Sequence, residues 1–262
     1  MPDASTTTLS LPPSPSFRLD GKRALVTGAG RGIGLAAASA MSDAGADVTL
    51  VARSADEIEA LAKAIRSRGG QATALPLDVT DLPAVERMAA AHEPFDILVN
   101  SAGVNHPAPF LDVTVEDYDA IMGLNARSLF FVSQAVARRM RESGRPGSII
   151  QISSQMGHVG AATRSVYCGS KWAVEGMTKA MAMDLAPFGI RVNTVGPTFI
   201  ETPLSTRFLR DEKFKQDVLS KIKLGRIGRV EDVTGAIVFL ASDASTLMTG
   251  SAIVVDGGWT AD

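Results

Sequence analysis

From residue 19 onward the chain alternates short apolar runs with longer amphipathic ones at a regular beat. Runs rich in Val, Ile and Leu over 22–27, 47–52, 72–79, 95–100, 147–153, 190–196 and 251–256 read as strands. Between them, apolar positions recurring at helical spacing predict helices over 33–44, 54–69, 82–92, 115–142, 165–187 and 230–242. The segment 54–69 carries its acids early and its bases late, as the helix dipole favours, and Gly69-Gly70 stops it. The run Phe95–Asn100 is almost continuously apolar, as strands covered on both faces are. Strand–helix alternation repeated this often predicts an α/β fold. Its parallel seven-stranded sheet would be doubly wound by right-handed crossovers, with helices on both faces. No linker or repeat interrupts it, so one domain is expected over 17–262, with a more polar lid over about 203–228.

Residues 1–16 differ in kind. "MPDASTTTLSLPPSPS" is rich in Pro and Ser and holds no Lys, Arg or long apolar run, which predicts a disordered arm rather than a targeting peptide. No later stretch of the sequence approaches a membrane-spanning length, and a cytoplasmic location is expected. Across 262 residues, 28 acids and 26 bases are interspersed, so neither nucleic acid nor a membrane surface is an expected partner. A single cysteine excludes an intrachain disulfide framework, and His92, His106 and His158 lack the spacing of a metal site. A small molecule is the expected partner.

Between the first strand and helix lies Thr27–Gly34, "TGAGRGIG". Glycine there lets the chain turn sharply, so that backbone amides and a helix N-terminus can approach a pyrophosphate. The residues are Gly28, Arg31, Gly32, Ile33 and Gly34; Ile33 occupies the last slot of a strict G-x-G-x-x-G. Strand two ends at Ala52, where a carboxylate reading the ribose 2′-hydroxyl would select NAD(H). Arg53 follows, and Arg31 stands in the glycine turn. Both are solvated surface charges or contacts to a 2′-phosphate, and the balance favours NADP(H), with NAD(H) possible.

Two tyrosines occur in the chain, and Tyr167 has Lys171 four residues on, one helical turn away. A nearby ammonium favours phenolate and is expected to lower the tyrosine pKa, preparing it for general acid/base work beside a nicotinamide cofactor. Ser154, ending strand five, would orient a substrate oxygen, with Ser153 the less favoured neighbour. Asn125 is polar inside an apolar helical run: either a helix irregularity, or a group holding water beside the lysine.

Taken together these motifs resemble the short-chain dehydrogenase/reductase family, over nearly the whole chain from Leu19. The set is Thr27-Gly28-x-x-x-Gly32-Ile33-Gly34, Asp78, "NSAG" at 100–103, Asn125, Ser154, Tyr167-x-x-x-Lys171 and "VDGG" at 255–258. The resemblance implies a catalytic tetrad of Asn125, Ser154, Tyr167 and Lys171, with Lys171 also on the nicotinamide ribose. It implies Asp78 and Val79 beside adenine, and Asn100 with the following Ala102 and Gly103 along the cofactor. Pro197, Ile200 and Thr202 would meet the nicotinamide carboxamide. Ser101 replaces the family's second Asn, and Thr198 replaces a Gly after Pro197. A homotetramer is also implied.

Substrate identity lies in the loops. Asn105, Gln155, His158 and Arg207 are candidate contacts, with Ser154, and this polar set suits a sugar, polyol or sugar acid. Within the family the chain looks most like members such as gluconate 5-dehydrogenase. A 3-oxoacyl-carrier-protein reductase uses the same core, and a non-catalytic redox sensor would bind the same nucleotide; both remain alternatives.

Overall fold

The structure, a computed structural model, describes residues 11–261; the first ten residues of the expected arm and Asp262 lie outside the described residues. Residues 11–16 carry no regular secondary structure and are exposed, and the chain is first pinned where the Phe17 ring meets Phe239 at 6.1 Å.

Seven strands form one parallel sheet in the order β3-β2-β1-β4-β5-β6-β7. They are β1 Arg23–Thr27, β2 Asp47–Ala52, β3 Gln71–Pro76, β4 Ile97–Asn100, β5 Gly147–Ile152, β6 Ile190–Pro197 and β7 Ala252–Val255. The chain runs outward from β1 to β3, then returns to place β4 on the other side of β1. This reversal opens a crevice at the carboxyl ends of β1 and β4, where a doubly wound sheet receives its ligand. Thr27, Asn100 and Gln151 stand level across that end, paired Thr27 with Asn100 and Asn100 with Gln151.

Strand side chains alternate between the two faces, and each face has its own core. Ala24, Val26, Val48, Leu50, Val99 and Ile150 pack with α1 (Gly32–Asp43), α2 (Ala55–Ser67) and α9 (Val230–Ala241). Leu25, Leu98, Ile149 and Val192 pack on the opposite side with α3 (Leu82–Ala91), α5 (Leu129–Ser143) and α6 (Ser165–Leu185). Double cover explains why the central strands are apolar without alternation. The edge strand β7 is half-exposed.

The helix expected over 115–142 is built as three pieces. α4 (Val115–Met122) runs into a π-helical turn, Gly123–Ser128, and then α5. Widened turns of this kind recur at functional sites; here the turn carries Asn125. The composite Val115–Ser143 is long and apolar enough to cross a membrane by length and composition, which corrects the expectation that no stretch approaches that length. Its apolar residues Val132, Ala135, Val136 and Met140 are spent on the core. The polar excursion holds two short helices, α7 (Pro203–Leu209) and α8 (Glu212–Lys221).

Candidate active site

The glycine turn is built by close approach. Gly28 has φ +66°, and a Cβ there would stand 2.7 Å from the Ala102 amide nitrogen and 2.8 Å from its Cα. A Cβ on Gly34 would collide with the Gly28 carbonyl. Thr27 Oγ1 accepts from the amides of Ser101 (3.2 Å) and Ala102 (3.4 Å), locking the turn to the segment after β4. Arg31 is the N-cap of α1 and supplies no side-chain cap, and no acid occupies the first turn, so the amides of that turn and of Gly32–Gly34 face an anion site. The cradle fits a dinucleotide pyrophosphate. Thr202 reaches it from the far side, its Cγ2 3.3 Å from where a Gly32 Cβ would be.

Of the residues expected beside adenosine, Arg31 and Arg53 are exposed and Val79 is buried. Asp78 accepts from the Thr80 amide (2.9 Å) and hydroxyl (2.8 Å). Those bonds, the amide's first, and the Arg53 charge hold its carboxyl below the usual range. One neighbour was not foreseen: Glu57 of α2 lies over Gly30, its Oε2 2.5 Å from the position of a Gly30 Cβ. The Asn100 side chain is turned into the fold. It donates to Ser133 Oγ and Gln151 Oε1, both at 2.9 Å.

Asn125 and Lys171 meet at Gly103. A Cβ built there would lie 3.3 Å from Asn125 Oδ1 and 4.0 Å from Lys171 Nζ. Ser154, buried at the end of β5, acts on the Tyr167 hydroxyl and donates to Gln155 Oε1 at 2.8 Å. Ser153 Oγ instead faces Gly157, 3.0 Å from where that residue's Cβ would stand. Lys171 is 5% exposed, donates to the Ile152 carbonyl at 2.9 Å, and places Nζ 5.6 Å from the Tyr167 ring centre. Asn125 is fully buried; its Oδ1 accepts from the Val104 amide (2.8 Å), and its Nδ2 donates to the Val104 carbonyl (2.9 Å) and Ser170 Oγ (3.1 Å). That side chain is a clamp on the segment after Gly103, with both of its amide protons given to protein acceptors.

The electrostatics also correct the sequence expectation. Desolvation pushes the Tyr167 phenol above its ordinary value, while the Ser154 hydrogen bond and the more distant Arg164 charge pull it down. Burial, not Lys171, has the largest effect on it. Burial lowers Lys171 itself to about 8, against the opposing pull of Glu175.

Among the substrate candidates, Gln155 is buried against Ser154, and Asn105 is half-buried just beyond Gly103. His158 is turned to Glu175, Nε2 3.5 Å from Oε1, because the short 3-10 turn Gln155–Gly157 carries the chain away from Ser154. The side chain of Arg207 lies outside the described residues. Pro197 is buried at the end of β6, and the Ile200 side chain belongs to the core, touching Gly228, so only its backbone is available to a carboxamide. Arg164 was missed from sequence. It is buried one turn before Tyr167, with its guanidinium over the rings of Phe208 (5.4 Å) and Phe214 (6.0 Å) in the two lid helices. It follows Thr163, whose φ of 59° is unusual for a β-branched residue. Among the described residues no group of His, Cys, Asp or Glu is placed to hold a metal. A cleft of about 530 Å³ lined by Arg23, Asp47 and Gln71 lies at the amino ends of the strands, away from this chemistry.

A family model described as Enoyl-(Acyl carrier protein) reductase matches residues 28–260. L-xylulose reductase of Bos taurus is 43% identical over 245 residues, covering 94% of this chain and 99% of that protein. A solved gluconate 5-dehydrogenase of Burkholderia cenocepacia, in complex with NADP and tartrate, superposes with a TM-score of 0.91 at 38% identity, covering 94% of this chain and 98% of that one. A short-chain type dehydrogenase/reductase of Mycobacterium marinum does so with a TM-score of 0.88 at 41% identity, covering 94% and 98%.

Proposed function

Starting from the fact that this chain belongs to the short-chain dehydrogenase/reductase family, we propose that its substrate is a polyhydroxylated secondary alcohol or ketone: a sugar, polyol or sugar acid. As a member, it is an NAD(P)-dependent oxidoreductase acting on CH–OH groups. The observation that carries the reading is the juxtaposition of Ser154, Tyr167 and Lys171, with the polar Gln155 on Ser154. The named relatives, a xylulose reductase and a gluconate dehydrogenase, support a substrate with several hydroxyls.

When bound, the nicotinamide supplies or accepts the hydride. Ser154 Oγ orients the substrate oxygen, and Tyr167 Oη gives its proton to the alkoxide that develops there, or takes one from an alcohol in the reverse direction. A phenol kept neutral by burial is ready to donate, which favours ketone reduction. Lys171 places a positive charge one turn away, favouring phenolate once the proton has left, and binds the cofactor ribose. Asn125 serves the proton route by fixing Val104 and the loop above Lys171. Arg31 and Arg53, with no carboxylate at Ala52, favour NADP(H) over NAD(H), and the NADP held by a similar structure supports this. The exposed Trp172 and Met183 on α6 and half-exposed Val254 on the edge strand support burial against other copies in a homotetramer.

A screen of ketoses, polyols, aldonates and acyl thioesters with both cofactors tests the reading. Turnover of polyhydroxylated compounds with NADPH is expected, lost by a factor of about 10² or more in Tyr167→Phe with NADPH binding retained. Activity confined to acyl thioesters or apolar ketones would sink the substrate assignment. An unchanged rate in Tyr167→Phe would sink the mechanism.

A further inference from the structure

Behind Lys171 lies a buried carboxylate that the proposed proton transfer does not use. Glu175 is 7% exposed, one turn beyond Lys171 on α6, so Tyr167, Lys171 and Glu175 share one helix face at successive turns. Its Oε2 accepts from Thr194 Oγ1 on β6 at 3.0 Å. Its Oε1 has no hydrogen-bond partner among the described residues, and His158 Nε2 stands 3.5 Å away. The backbone leaves room for this side chain on purpose: a Cβ on Gly157 would meet Glu175 Cγ at 3.0 Å and the Lys171 carbonyl at 3.1 Å. A carboxylate so enclosed is costly to desolvate, and filling the space alone would be served as well by a neutral amide or an apolar side chain.

We propose that Glu175 is a positioning residue for the reaction, whose buried negative charge keeps the Lys171 ammonium protonated beside Tyr167. The proposal rests on the role given to Lys171 above. Burial alone disfavours a charged lysine, and the Lys171 Nζ has a neutral carbonyl as its partner. The charge opposing that penalty is the carboxylate one turn away. Other groups around Glu175 are neutral hydroxyls, Ser153 at the end of β5, Thr178 on α6 and Thr194 on β6, apart from His158 in the turn after β5. Arg164, the N-cap of α6, and Cys168 in its first turn stand back toward the start of the helix, where they act on Tyr167.

Glu175→Gln keeps the shape and removes the charge. The rate of NADPH-dependent reduction of the best ketone from the screen, measured from pH 6 to 10, falls on the alkaline side as Lys171 loses its proton. In Glu175→Gln that limb moves to lower pH by roughly one unit, while the rate at pH 6.5 stays within about threefold of wild type. Glu175→Asp restores the limb and His158→Gln leaves it in place. A uniform loss at every pH with an unmoved limb overturns the proposal, since that is what a packing residue would do. Thermal unfolding across the same pH range gives a readout independent of turnover, because it reports Lys171 titration directly. If the alkaline onset of the stability change moves in Glu175→Gln but the rate limb does not, Glu175 still governs the lysine, and the role of Lys171 in turnover is what fails. If neither moves, the proposal fails.

Discussion

Gly28 and Gly144 share a backbone conformation, φ +66° in both, but not a neighbourhood. Gly28 presses against the backbone of Ser101 and Ala102, whereas a Cβ on Gly144, at the end of α5, would meet nothing within 4 Å. Alanine at Gly144 therefore costs only the left-handed conformation, about 1–2 kcal/mol for an L-residue. Alanine at Gly28 adds an overlap with main chain that cannot rotate away: at 2.7–2.8 Å the turn and the segment after β4 must separate by several tenths of an ångström. Overpacking of that kind adds about 1–3 kcal/mol, for a total of roughly 2–5 kcal/mol.

Thermal unfolding of the two single variants should separate the terms. At roughly 2–4 °C per kcal/mol for a domain of this size, Gly144→Ala loses about 2–8 °C, and Gly28→Ala loses more in the same buffer. The functional readout differs in kind. Parting the turn from Ala102 also displaces the amides of the phosphate cradle, so NADPH affinity, followed by fluorescence, falls tenfold or more in Gly28→Ala, about 1.4 kcal/mol. Gly144→Ala leaves it unchanged. Equal losses of stability in the two variants, or intact NADPH binding in Gly28→Ala, would refute the view that close approach, beyond backbone conformation alone, makes glycine necessary there.

Two further outcomes follow from the same geometry. Arg53→Ala should weaken NADPH binding several-fold and leave NADH binding nearly unchanged, since a guanidinium facing a 2′-phosphate is a charge-assisted contact that NADH lacks; equal effects on both cofactors would place Arg53 elsewhere. Lys171, lowered to about 8 in the folded chain from an ordinary 10.5, makes stability depend on pH. Between those values the unfolded chain binds the extra proton, so the lysine's contribution to stability rises with pH from about 8 to 10.5 and is flat below 8. Comparing unfolding of wild type and Lys171→Met from pH 6 to 10.5 isolates that rise, and a difference that stays constant across the range would contradict it.

The seven parallel strands and most helix limits were legible because they follow from local pattern. Asp47–Ala52 is a strand with the ends the apolar run predicts, and α2 stops where Gly69-Gly70 says it should. The site was legible in its spacing: Tyr167 and Lys171 are one turn apart on any helix. What the sequence could not carry are relations across elements. Asn125 reads from sequence as a polar intruder in a helix, and only the π-helical turn against Val104 makes it a clamp. Arg164 looks like an ordinary loop cation until the lid phenylalanines lie over it. Asn100 sits in a motif that resembles a cofactor contact, yet Ser133 and Gln151 claim its amide.

The same distinction explains why the phenol's acidity was misjudged. Spacing along a helix says which charge is near, but a pKa is a contest between nearby charge and lost solvent. For Tyr167 burial prevails, and for Lys171 it prevails over Glu175 as well. A site closed enough to strip water from both groups needs its charges held in place by others further in. This is why the carboxylate of Glu175, two turns from the tyrosine and invisible to any motif, belongs to the physics of the pair.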